Sequence, residues 1–281
     1  MNHITRRVSY VFLCTLPILD TVAMVRGLRI PGVYQAAGGL LFAAVVVAAW
    51  ILGAQGAGSS VGGDRRPAVA GALLMVPFAL VSVLWVGLSG PWDATPAENL
   101  IRYLVLLGGL VGVTSGFIVL GESLRDAGER LYSTLGFSAT LLGGPAYLIW
   151  LVTQIGGWSA KMRTGHIPPT LVSLSDVFDT LLFVAGALAY LSTAAFVASL
   201  GRTGWLGRGA TRAYVILNLV ALLFLMTRGL SFPDPTVLVT PWYTRPGFIA
   251  GIPIVPWIMP FLLGVTLLRR AGDEQKGRKS G

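Results

Sequence analysis

Six polar side chains could do chemistry in this otherwise apolar chain: Asp20, Arg102, Asp176, Asp179, Asn218 and Arg228. Asp20 stands inside an apolar run. A carboxylate at membrane depth is costly and commonly serves as a proton relay or cation ligand. Arg26 and Arg29 follow closely, so an ion pair near the headgroups is the simpler reading. Asp176 and Asp179, three residues apart, fall on one face of a helix. Paired carboxylates can bind a metal or share a proton. Ser175-Asp176 also opens an apolar run, where both acids suit a helix N-terminus, so capping is again the simpler role. Asn218 is a lone intramembrane amide, a type that more often bonds between helices than to a ligand. Arg102 and Arg228 lie at span ends. There they snorkel to water or hold an anionic headgroup or substrate.

None of these residues belongs to a catalytic motif. The chain has no Walker-type phosphate loop, no Gly-x-Ser-x-Gly elbow, no His-Glu-x-x-His and no aspartate-rich prenyl-diphosphate motif. The lone Cys14 excludes an intrachain disulfide, a Cys-based zinc site and an iron–sulfur cluster. His3 and His166 fall outside the apolar runs, as do Lys161, Lys276 and Lys279. A haem between two buried histidines and an intramembrane retinal Schiff base are excluded with them. No catalytic residue, metal or cofactor is expected, and the balance leans against an enzyme. Arg163-Thr164-Gly165-His166-Ile167-Pro168 is too short and common a pattern to carry a function over.

The elements that position these residues follow from composition. The chain is 54% hydrophobic and 12% charged, with mean hydropathy +0.73. Soluble domains carry roughly a quarter charged residues. Apolar runs fall near 9–25, 34–53, 68–89, 103–121, 131–155, 180–200, 211–228 and 247–268. Most reach the roughly 20 residues needed to cross a bilayer as helix. They are continuously apolar, so barrel strands do not fit. The expected fold is all-α, a polytopic transmembrane bundle of eight helices in one domain over 1–270. Seven helices plus an interfacial N-terminal one is the alternative. Residues 271–281 form a short polar tail expected to be disordered. In the first run, Arg6 and Arg7 precede the apolar stretch and Thr21-Val22-Ala23 loosely resembles a cleavage site. A retained first helix is the reading taken.

With the N-terminus inside, 14 of the 21 Lys and Arg residues fall in inside segments and 7 in outside ones. This positive-inside bias puts both termini in the cytoplasm and the protein in a bacterial inner membrane. The net charge of +9 is spread through short loops, which excludes a nucleic-acid face. Outer loops are rich in Pro and Trp, namely 90–93, 156–175 and 231–246, and suggest a structured cap. The inner loop from Gly121 to Arg130 mixes signs and reads as a solvated turn with local ion pairs.

Two backbone patterns complete the reading. Gly108, Gly112 and Gly116 recur every four residues in the fourth run, and Gly136, Thr140 and Gly144 continue that register in the fifth. Small residues let helices approach closely, so these two runs are expected to pair, or to form a homodimer seam. Pro253, Pro256 and Pro260 break the last run. The carbonyls they free must face protein or a water-filled cavity. Three functions remain open. The first is a non-catalytic accessory or structural subunit binding membrane lipid, pigment or partner helices. The second is a solute or ion transporter or channel using the broken helix. The third is a lipid-modifying enzyme with an outer site of Asp176, Asp179, His166 and Arg102 or Arg228.

Overall fold

The computed structural model describes residues 3–26, 33–58, 64–87, 94–230 and 246–279. Among these the chain is helical, with short turns and no strand. The helices are α1 (His3–Arg26), α2 (Val33–Ala49), α3 (Gln55–Gly58), α4 (Arg66–Gly87), α5 (Pro96–Asp126), α6 (Leu131–Thr164), α7 (Pro169–Ser173), α8 (Ser175–Arg202), α9 (Arg208–Arg228), α10 (Pro246–Gly251) and α11 (Ile258–Lys279). A π-helical turn over Trp50–Ala54 joins α2 to α3, and a 3₁₀ turn over Val255–Trp257 leads into α11. Among the described residues four helices are long and apolar enough to cross a membrane: α5, α6, α8 and α9. In hydrocarbon a backbone can satisfy its own polar groups only as helix or closed barrel, which is why runs this apolar fold this way.

Local signals set the helix ends. Thr95 and Glu98 form a capping box at the start of α5, with Pro96 at its first position. Gly165, at φ 82°, ends α6 in the left-handed conformation that glycine adopts without strain.

Neighbours in sequence pack as neighbours in space: α4 on α5, α5 on α6, α6 on α8, α8 on α9, and α9 on α10. The last long helix, α11, returns to lie against α4 and the π turn, with α1 and α2 alongside. Proline and glycine shape the α4–α5 contact. The ring of Pro77 fills a notch at Gly112, where a Cβ would come within 2.6 Å of it. Gly116 meets Leu73 and Leu74 of the same helix.

The fourth and fifth runs do pack together, as α5 on α6, but most of their glycines serve other contacts. The fourth run uses Gly112 and Gly116 against α4, while Gly108 faces open space. In α6, Gly136 seats Phe196 of α8, and only Gly144 looks back toward Thr114 of α5. The reason is bulk. Phe196 stacks on Phe117 at 4.9 Å and needs the glycine gap of α6 to fit between helices. The α11 helix runs on through Lys279, held by Arg270–Glu274 at 2.8 Å and by Asp273, which binds Arg6 at 2.7 Å.

Candidate functional site

Exposed apolar side chains recur along α6 from Leu131 to Met162, and the helix ends at Thr164. Beside its last turns the structure opens a cavity of about 220 Å³ between α6, α7 and α8. Thr153, Gln154, Gly157 and Trp158 line it from α6. Ile167, Leu171 and Val172 close one side, and Ser175, Phe178 and Asp179 the other.

Behind this cavity sits a polar and aromatic cluster. The Arg102 guanidinium, buried on α5, donates through Nη1 to Asn99 Oδ1, and Asn99 is fully buried. The next residue, Tyr103, lies near Trp158. Its ring lies edge-on to Trp150 at 5.6 Å. Asp179 is within electrostatic reach of both Tyr103 and Arg228. Arg228 lies across Gly251 of α10, where a Cβ would meet its Cδ at 2.6 Å. Of the six polar residues singled out by sequence, Asp179 and Arg228 are within electrostatic reach of each other, and Arg102 and Asp179 both act on Tyr103.

The others do not join them. Asp176 is exposed in the first turn of α8, whose cap is Leu174 with no side-chain hydrogen bond. Neither Ser175 nor Asp176 caps this helix, because α7 leads into α8 through a single residue and leaves no extended N-cap position. His166 is exposed and its Nδ1 lies 3.1 Å from the Thr164 carbonyl, within its own turn. Asn218 is fully buried; its Nδ2 donates to the Tyr214 carbonyl one turn back at 2.8 Å, while its Oδ1 is buried without a hydrogen-bond partner. Asp20 lies on α1, but its side chain is outside the described residues, as are the loop segments 90–93 and 231–245.

The proline-rich run leaves α-helical geometry between Gly251 and Ile258. Two of the carbonyls there accept hydrogen bonds from tyrosine: Ala250 O from Tyr190 at 2.9 Å and Pro253 O from Tyr147 at 3.2 Å. Protein hydroxyls satisfy these carbonyls. A narrow cleft of about 40 Å³ adjoins the break, lined in part by Thr114, Thr140, Ser192, Trp257 and Pro260.

Sequence reasoning missed a second polar centre at the opposite end. Far from being solvated, Glu129 is buried. Its carboxylate accepts from the N–H groups of Tyr132 and Ser133 at 3.2 and 3.0 Å, and from Ser199 Oγ at 2.8 Å. It therefore caps α6 and ties it to α8. Burial pushes the Glu129 carboxyl up, but the Ser199 hydroxyl, the two N–H groups and the Arg202 charge outweigh this and hold it below its ordinary value. Only Arg125–Glu122, at 2.9 Å, is the kind of local ion pair that loop suggested. Among the described residues no group of three or more His, Cys, Asp and Glu could hold a metal.

No protein-family model, curated protein or solved structure matches this chain. The site has to be read from its own chemistry.

Proposed function

We propose that the chain is a multi-pass protein of a bacterial cytoplasmic membrane, crossing it eight times with both termini inside, and that it works as a non-catalytic accessory subunit binding lipid and partner helices. The observation that carries this reading is the asymmetry of burial among the long helices. In α5, α6 and α8, 39–44% of the membrane-length window is buried, whereas in α9 the share is 11%. Ile216, Leu217, Leu223, Phe224 and Met226 all point outward. An all-round apolar helix held along a narrow strip offers its remaining surface to lipid or to other helices. The deciding experiment is native mass spectrometry after gentle extraction, combined with a photo-crosslinker at Leu223. Stoichiometric capture of another integral membrane protein supports the subunit reading. A monomer crosslinked only to lipid overturns its partner-helix half. Cysteine labelling at Arg163 and at Lys276 tests the orientation: Arg163→Cys is expected to react from outside and Lys276→Cys only after permeabilisation.

A transporter is the second reading, favoured by the cleft beside the broken last helix. Widening that cleft by Trp257→Ala would then change solute uptake in vesicles.

A further inference from the structure

We infer that the cavity between α6, α7 and α8 is a headgroup site for an aminophospholipid, a lipid carrying a primary ammonium joined to a phosphate diester. The volume, about 220 Å³, is below that of a pocket for a drug-sized ligand and suits a headgroup. Asp179 lines it as the one ionisable side chain, accompanied by the neutral oxygens of Thr153, Gln154 and Ser175. Such a lining accepts hydrogen bonds from an N–H-bearing cation, and the Asp179 carboxylate, within electrostatic reach of Arg228, would share its charge between that guanidinium and an incoming ammonium. One carboxylate without further ligands does not make a metal site.

The rim has the opposite sign. Lys161 places its ammonium 4.9 Å from the centre of the Trp158 ring, and Trp158 itself lines the cavity. A phosphate at the mouth meets Lys161 while the ammonium meets Asp179. A quaternary ammonium is less suited, because it has no N–H to give and one face of Trp158 already carries Lys161. The third side of the cavity is Ile167, Leu171 and Val172. Beyond it Val172, Leu174 and Val177 are exposed. An apolar edge next to a charged mouth fits an amphiphile whose chains lie in the bilayer, and this favours the intact lipid over a soluble phosphoethanolamine.

The test is native mass spectrometry of the purified protein in micelles. It is doped in turn with short-chain phosphatidylethanolamine, phosphatidylcholine and phosphatidylglycerol, and with glycerophosphoethanolamine, which has the headgroup and no chains. Because binding is read on isolated protein, the result does not depend on membrane orientation or on a partner subunit. Phosphatidylethanolamine should be retained about tenfold better than the other two lipids. Asp179→Asn should erase that preference. Gly157→Leu should abolish retention by filling the cavity from its other wall. Gly157→Ala should leave retention intact, since a Cβ there meets Ile167 and Leu171 at ordinary distances of 3.6 and 3.7 Å. Equal retention of phosphatidylglycerol or phosphatidylcholine, or undiminished retention in Gly157→Leu, overturns the site. Equal retention of glycerophosphoethanolamine overturns its assignment to a lipid.

Discussion

The two ends of the bundle treat their buried charges in opposite ways. At the Glu129 end the buried charges make bonds that tie helices together. Arg6 donates to Asp273 and to the carbonyls of Leu52 and Arg269 at 2.9 and 3.1 Å, and so joins α1, the π turn and α11. Glu129 joins α6 to α8. At the Asp179 end one charged group, Asp179, lines a cavity, with Arg228 within electrostatic reach of it. The comparison separates charge used as a fastener from charge used as a lining. The first kind leaves no room for a ligand, because the backbones touch. A Cβ at Gly53 would overlap the Leu268 carbonyl, and one at Gly272 the Leu52 carbonyl.

The largest effect expected from this contrast follows from that close approach. Gly53→Ala must push the π turn off α11, where backbone rather than a flexible side chain is the obstacle. A loss of about 3 kcal/mol is expected from such overpacking, seen as loss of monodisperse protein by size-exclusion chromatography. Gly108→Ala, which faces open space, should elute as the parent does.

Next comes Arg6→Met, which keeps the apolar stem and removes the donors. Two carbonyls lose their partner, for about 2 kcal/mol in all, read as a lower midpoint of thermal unfolding in detergent. If Arg6→Met is neutral, the fastener description of this end fails.

Glu129 sharpens the contrast through pH. Its carboxyl sits below the ordinary value in the folded protein, so the folded state favours the ionised form. The stability it contributes is present above the unfolded value of about 4.3 and is lost as pH falls through the lower folded value. Glu129→Gln should cost about 1 kcal/mol near neutrality and flatten the stability profile below about pH 4.

The smallest effect is expected at Asp176. Exposed and without a cap bond, it should tolerate Asp176→Asn with less than about 0.5 kcal/mol change and unchanged retention of aminophospholipid. A comparable loss in Asp176→Asn and Asp179→Asn would erase the distinction between a bystander and a lining group.

Much of this architecture was legible in sequence, for a local reason. Long runs without charge have to be helical in lipid, and the runs expected near 103–121, 131–155, 180–200 and 211–228 fall on described helices long and apolar enough to cross a membrane. The break at Pro253 and Pro256 was equally legible, since a missing N–H acts on its own turn. The partners of that break were not. Tyr147 and Tyr190 supply the hydroxyls from α6 and α8, and no spacing within the last helix points to them.

The same boundary runs through the candidate site. Arg102, Asp179 and Arg228 stood out as polar residues in apolar surroundings, but Asn99, Tyr103, Gln154 and Trp158 carried no such signal. Residue type and run length set the helices, the apolar surface and the few groups able to do chemistry, because burial of apolar side chains and backbone hydrogen bonding act within each segment. Which face of each helix meets which neighbour was decided only in the tertiary structure. Helices apolar all round state no preferred face. The choice fell to bulk and notch, Phe196 into Gly136 and Pro77 into Gly112, and that packing brought Asp179 to the wall of a cavity and closed the protein around Glu129.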